Sequence, residues 1–233
     1  MVQAHKHPAT FTNWLLPVFE EIVRRYTPGD SSVRVLDPFA GTGKVHQLPF
    51  DTLGIEIEPE WAAQHPNTIY GDSTRLLTWL DPVFDAVVTS PAYGNRMADK
   101  YLGDSKGSRR YTYATALGRH LRDNNGAGMR WGQEYRDLHE KVWRQCYKVL
   151  RPGGIIVVNV KNHIRDGKTV DVVGWHLETL QDTVGFQFLA HYDAPCPGQR
   201  HGANRHLRVD NEEILVLRRP ITKPTLPTER RPT

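Results

Sequence analysis

Three observations predict an α/β fold with a seven-stranded, mostly parallel sheet and flanking helices. Short apolar runs alternate with amphipathic stretches along 233 residues; the run Ala86-Val87-Val88 is apolar on both faces, as in a strand covered by helices on either side; and glycines follow the first strand-like run at Gly41 and Gly43. A composition of 39% hydrophobic and 24% charged residues suits one domain with its own core better than two small ones. Residues 1–220 are assigned to that domain and 221–233 to a disordered tail, because TKPTLPTERRPT is rich in proline and charge.

TNWLLPVFEEIVRRY reads as a helix, VRVLDPF and TLGIEIE as strands, and PEWAAQH as a short helix with Pro59 in its first turn. Only about a dozen residues separate the first two strands, so a crossover helix there is reduced to a turn or two, or is absent. NTIYGD is a third strand. STRLLTWL is a helix opened by Ser73, and FDAVVTS a fourth strand. After a long polar insertion at about 94–132, Tyr135, Leu138, Val142, Cys146 and Val149 recur every three or four residues, giving a core-facing helix over Gln133 to Leu150 stopped by RPGG. GIIVVNV, FQFLAHY and EEILVLRR complete the strands, with the helix VDVVGWHLETLQDTV after the first of them. No internal repeat is evident.

Composition narrows the function classes. A net charge of +4 favours an anionic partner without demanding one. The two cysteines, Cys146 and Cys196, are far apart and form no CxxC, which excludes a disulfide framework and a four-thiolate zinc site. His191, His201 and His206 near Cys196 match no standard zinc spacing, so no metal is expected. No apolar run approaches the roughly 20 residues that span a bilayer, and a cytoplasmic protein without membrane contact is expected.

DPFAGTGK ends the first strand. A phosphate loop of the Walker type needs glycine where Pro38 stands and Ser or Thr at Val45, and the dinucleotide fingerprint needs glycine at His46, so both fail. What remains is a loop that lets backbone approach a nucleoside ligand, with an acid one strand later for the ribose. Glu56, beside Gly54 at the strand end, suits that role better than Glu58, and Asp72 ends the third strand, where it serves either the ligand or the following helix as a cap.

The fourth strand runs into Thr89-Ser90-Pro91-Ala92-Tyr93. Taken with DPFAGTG, this stretch resembles the S-adenosylmethionine-dependent amino-methyltransferases of DNA, the cytosine-N4 and adenine-N6 enzymes, over nearly the whole chain from HPATF to LVLRR. The resemblance implies the Rossmann-like fold of class I methyltransferases, S-adenosylmethionine as cofactor and DNA as partner. It places the cofactor against Asp37, Pro38, Phe39, Gly41, Gly43, Glu56, Ile57, Asp72, Ser73 and Ser90, and under Pro8, Thr10 and Phe11 of HPATF. The pentapeptide is similar to the TSPPY form, commoner among cytosine-N4 members. Ser90, Pro91 and Tyr93 are the implied catalytic residues, and Ala92 stands where a second proline is usual.

Residue chemistry agrees with that role. An exocyclic base amine is conjugated with its ring, so its lone pair is poorly placed to attack a methyl group. Acceptors at the Ser90 side chain and the Pro91 carbonyl bond both amine hydrogens and aim the lone pair, while Tyr93 stacks on a base flipped from the helix. A Pro-Cys nucleophile for carbon-5 methylation would follow the fourth strand, and Pro195-Cys196 follows the sixth. Basic residues interleaved with aromatics suit phosphate contact and base stacking, so Asn95, Arg96, Arg109, Arg110 and Tyr111 of the insertion, with Arg200 and Arg205 of a second loop, are expected to grip the substrate. A chain of this length has no room for a separate recognition domain, which implies short or relaxed sequence specificity. A base amine in RNA poses the same chemical problem, and a non-catalytic nucleic-acid binder of the same fold is a third reading, for which Ala92 is the one supporting residue.

Overall fold

The computed structural model describes residues 13–27, 32–78, 80–81, 83–95, 98, 112–196, 207 and 209–221. HPATF, Arg96, Arg109, Arg110, Tyr111, Arg200, Arg205 and the chain from 222 onward lie outside them.

Helix α1 (Leu15–Tyr26) buries Leu15, Phe19, Ile22 and Val23, a spacing that makes one apolar stripe. Strands β1 (Arg34–Asp37), β2 (Asp51–Glu56) and β3 (Thr68–Tyr70) pair in parallel, β2 leading to the single-turn helix α2 (Pro59–Ala62). Strand β4 (Phe84–Thr89) returns to the other side of β1. Helices α3 (Tyr113–Leu117) and α4 (Gln133–Val149) precede β5 (Leu150–Val160). A hairpin of β6 (His163–Arg165) and β7 (Lys168–Val170) leads to α5 (Val172–Glu178), then β8 (Gln187–Pro195) and β9 (Asn211–Arg218).

All seven expected strands form one sheet in the order β3-β2-β1-β4-β5-β9-β8, with β9 antiparallel to both of its neighbours and the other pairings parallel. Alternate side chains serve opposite faces. Val35, Ala86, Val88, Ile155 and Val157 pack with α1, whereas Leu36, Val87, Ile156 and Val158 pack with Val142, Trp143, Cys146 and Val149 of α4. Helices therefore cover both faces, which is why the central strands are apolar throughout. Between β1 and β4 the strand order reverses, and the crevice beyond the carboxyl ends of such strands is where ligands bind in this architecture.

Several local expectations are corrected. Between β1 and β2 the chain makes a single 3₁₀ turn, Lys44–Gln47, consistent with the short connection. STRLLTWL forms a 3₁₀ segment over Ser73–Thr78, kinked at Arg75. Ser73 does not cap it: its hydroxyl donates to the Pro38 carbonyl at 2.5 Å, and Asp72 instead accepts from the Thr74 amide at 2.9 Å. Helix α4 stops at Val149 and enters β5 directly, four residues ahead of GIIVVNV. Arg-Pro-Gly-Gly forms no terminator but an irregularity within the strand, where the partners of Phe84 and Ala86 on β4 jump from Leu150 to Ile155. VDVVGWHLETLQDTV is likewise broken. Its first residue, Val170, belongs to β7, Asp171 caps α5, and Thr179–Val184 widens into a π-turn.

Candidate active site

The carboxyl ends of β1, β2, β3, β4 and β5 and the amino end of antiparallel β9 open onto one cleft. Its first wall is the glycine loop. Gly41 adopts a φ of +53°, and its amide donates to the Glu56 carboxylate at 2.9 Å, tying the loop to the end of β2. The other Glu56 oxygen accepts from the Glu58 amide at 2.8 Å. Asp37 accepts from the Thr89 hydroxyl at 2.6 Å and the Phe39 amide at 2.9 Å.

Burial pushes Asp37 up to about 7, against the hydrogen bonds it accepts. It pushes Glu56 up to about 7 as well, with the charges of Glu58 and Asp37 adding to the effect. Neither carboxylate has a cationic partner among the described residues, so nothing there offsets the cost that burial puts on charging them.

Glu58 has a separate role. It is fully buried, and its carboxylate accepts from Arg119 Nη2 at 2.6 Å, the Arg122 amide at 2.8 Å and Asn125 Nδ2 at 2.7 Å. These bonds pin the chain after α3 so that Asn124, Asn125, Gly126 and Ala127 roof the cleft. Trp61 and Tyr113 pack edge to face beneath the roof. His139 of α4 completes this half of the cleft. Its Nδ1 donates to the Tyr135 carbonyl at 2.7 Å, leaving Nε2 as an acceptor with no partner among the described residues, and burial holds the ring neutral by pushing it down to about 4.

Ser90, Pro91, Ala92 and Tyr93 form the opposite wall. Ser90 Oγ lies 3.1 Å from the Tyr93 hydroxyl, and Asn159 Nδ2 reaches both, at 3.3 and 3.2 Å. The turn is braced from behind. Trp143 donates to His176 Nδ1 at 3.1 Å, so the neutral ring carries its proton on Nε2 and donates it to the Tyr135 hydroxyl at 3.0 Å. Burial keeps His176 neutral, and Tyr135 in turn donates to the Ala92 carbonyl at 2.7 Å. Gly94 has a φ of +64°, and a side chain there would meet the Trp131 backbone at 2.9 Å.

Of the expected site residues, Asp37, Pro38, Phe39, Gly41, Glu56, Ile57, Asp72, Ser73, Ser90, Pro91, Tyr93 and Asn95 line this cleft. Gly43 does not. Its φ of +82° shapes the turn, and an added Cβ would meet His46 at 2.7 Å and His65 at 2.8 Å. Asn125, His139, Asn159 and Glu212 line it without having been singled out from the sequence, since each is one polar residue in an otherwise ordinary segment.

The sequence profile of the DNA methylases matches residues 84–229. No curated protein matches the chain. Among solved structures, a SAM-dependent methyltransferase from Methanosarcina mazei is 12% identical, with a TM-score of 0.54 over 86% of this chain and 98% of that one. A putative rRNA methylase from Clostridium thermocellum is 12% identical with a TM-score of 0.51, covering 91% and 98%. The cyclase SpnF is 17% identical with a TM-score of 0.53, covering 88% and 82%. At these identities the likeness is one of fold.

Proposed function

The chain belongs to the DNA methylase family, and from that premise we propose that it methylates an exocyclic amine of a DNA base, cytosine N4 in preference to adenine N6. S-adenosylmethionine is its cofactor and supplies, when bound, a methyl group made electrophilic by sulfonium charge. The residues of the cleft fit that group. Two buried carboxylates without cationic partners among the described residues, Asp37 and Glu56, suit an ammonium and a ribose diol, and Gly41 leaves backbone room beside them. Asp72, two residues beyond β3 at the cleft, is assigned to the adenine.

The observation that carries the reading is the convergence of the Ser90–Tyr93 turn with this carboxylate-lined half in one cleft. Ser90 Oγ and the Pro91 carbonyl accept the two hydrogens of the amine, which favours a pyramidal nitrogen and points its lone pair across the cleft. Tyr93 offers a face to the flipped base, a contact worth about 1–3 kcal/mol. Before the base arrives, Tyr93 and Asn159 occupy Ser90 Oγ, keeping a half-buried hydroxyl satisfied. Asn95 lines the cleft, and Arg96, Arg109, Arg110, Arg200 and Arg205 are assigned to the nucleic-acid backbone and Tyr111 to base stacking.

The test is mass spectrometry of nucleosides from DNA and RNA incubated with the protein and S-adenosylmethionine, beside Ser90→Ala. N4-methylcytosine in DNA that disappears in the variant is the expected result. N6-methyladenine would reassign the base, a product confined to RNA would reassign the polymer, and cofactor binding without any product would sink the proposal.

A further inference from the structure

Methyl transfer to an amine leaves a proton to be removed, and the Ser90–Pro91 pair cannot take it. The N–CH3 bond forms as the S–CH3 bond breaks, with the bonding electrons departing on sulfur, so the nitrogen becomes positive and retains one hydrogen too many. A serine hydroxyl and a peptide carbonyl are hydrogen-bond acceptors, but neither is a base near neutral pH. The turn carries serine where an acid would have supplied a carboxylate.

A carboxylate enters the same network from another element. Glu212 heads β9, whose antiparallel pairing with β5 sets Asn159 opposite Ile214 and brings Glu212 to the cleft. Its Oε2 accepts from Asn159 Nδ2 at 2.9 Å, the same nitrogen that reaches Ser90 Oγ and Tyr93. Asn159 is 1% exposed, and its Oδ1 has no partner among the described residues. An amide this buried, with its donor shared among three acceptors and its acceptor unused, is incomplete without a ligand that brings N–H groups. A base amine is such a ligand.

We propose that Glu212, held by Asn159, is a catalytic residue of the target half: its carboxylate accepts the proton lost by the methylated amine and releases it to solvent. The inference rests on reading the cleft as a base-amine pocket. The charged and titratable groups around Glu212 are Tyr93 after β4, Lys161 after β5, Cys196 after β8, and Asp210 and Glu213 on its own segment. Glu213 pairs with His191 at 2.8 Å on the other face of the strand. Glu212 is bonded directly to the amide that reaches Ser90 Oγ and Tyr93.

The experiment compares the full-length protein with Glu212→Gln, which keeps an acceptor for Asn159 and removes the base. Single-turnover transfer is measured at saturating S-adenosylmethionine, with cofactor affinity by calorimetry as a second readout. The variant is expected to be about 10²-fold slower or worse, with cofactor affinity within twofold. A variant within threefold of wild type overturns the assignment. Should the glutamine variant fail to fold, Glu212→Ala is assayed with and without formate: transfer restored by the added carboxylate is expected, and a rate that formate leaves unchanged overturns the assignment. Wild type that methylates nothing removes the base-amine reading itself, whereas an active wild type with an unaffected variant removes only Glu212.

Discussion

Asp37 and Glu56, proposed to hold the cofactor, are expected to set the pH response of their half of the cleft. Both are raised to about 7 chiefly by burial, from ordinary values of 3.8 and 4.5. An ammonium or a diol favours their charged forms, so binding expels protons and affinity rises with pH from 6 toward 8, then levels. The opposite sign governs the unliganded fold. Raised carboxylates contribute stability that is full below their unfolded values and is lost as pH climbs through about 7, and the cofactor restores it. Calorimetry in two buffers of different ionisation enthalpy detects the released protons, and an affinity independent of pH would refute the assignment. Behind the other wall, Tyr135→Phe strips the Ala92 carbonyl and His176 Nε2 of their partner. A loss of about 1–3 kcal/mol is expected, at roughly 2–4 °C of melting temperature per kcal/mol for a domain of this size. Methyl transfer should slow without a matching change in cofactor affinity, since the hydroxyl braces the turn in place of the ring that Ala92 lacks. Of these residues, Asp37, Glu56 and Ser90 were legible in the sequence because each sits at a strand end beside a glycine or proline turn. Asn159 and Glu212 were not. Each acquires meaning only when β9 lies beside β5, a pairing that no local pattern encodes.

At the level of elements, the roof depends on Glu58. Removing a buried carboxylate that holds an arginine, an amide and an asparagine costs about 3–5 kcal/mol in fully buried settings, and the partial exposure of Arg119, at 35%, puts Glu58→Ala toward the lower end. Hydrogen exchange should accelerate over 112–128 far more than in the sheet, with weaker cofactor binding; uniform exchange would show that the roof holds without it. Of the acids two residues apart in GIEIEPE, the sequence favours Glu56 for its place at the strand end, and their hydrogen-bond partners separate them fully: Glu56 serves the glycine loop and Glu58 the roof. The strands were legible because continuous apolar runs mark coverage on both faces. The β6–β7 hairpin was passed over although Asp166 and Gly167, with φ of +49° and +72°, form the Asp-Gly turn its sequence spells, since three-residue polar strands carry no apolar signal. The kink at Arg75 and the π-turn at Thr179–Val184 follow from packing and leave no period to read.

On the scale of the whole molecule, the reversal of strand order between β1 and β4 gathers residues from positions 37 to 212 at one edge of the sheet. Among the described residues no helix is long and apolar enough to cross a membrane. The insertion of β9 between β5 and β8 also fixes a sequence of events. Strand β8 is made before β9 but bonds to the sheet only through it. During synthesis β8 must therefore wait, with Leu189, Ala190 and Tyr192 uncovered, until residues 211–218 emerge and slide between the two. Loop closure of that kind is slow. Glu212 arrives with the same strand, so a chain halted before it holds the glycine loop and the Ser90 turn but lacks the carboxylate assigned to proton removal. On that assignment, catalytic competence is timed to the last strand to be synthesised.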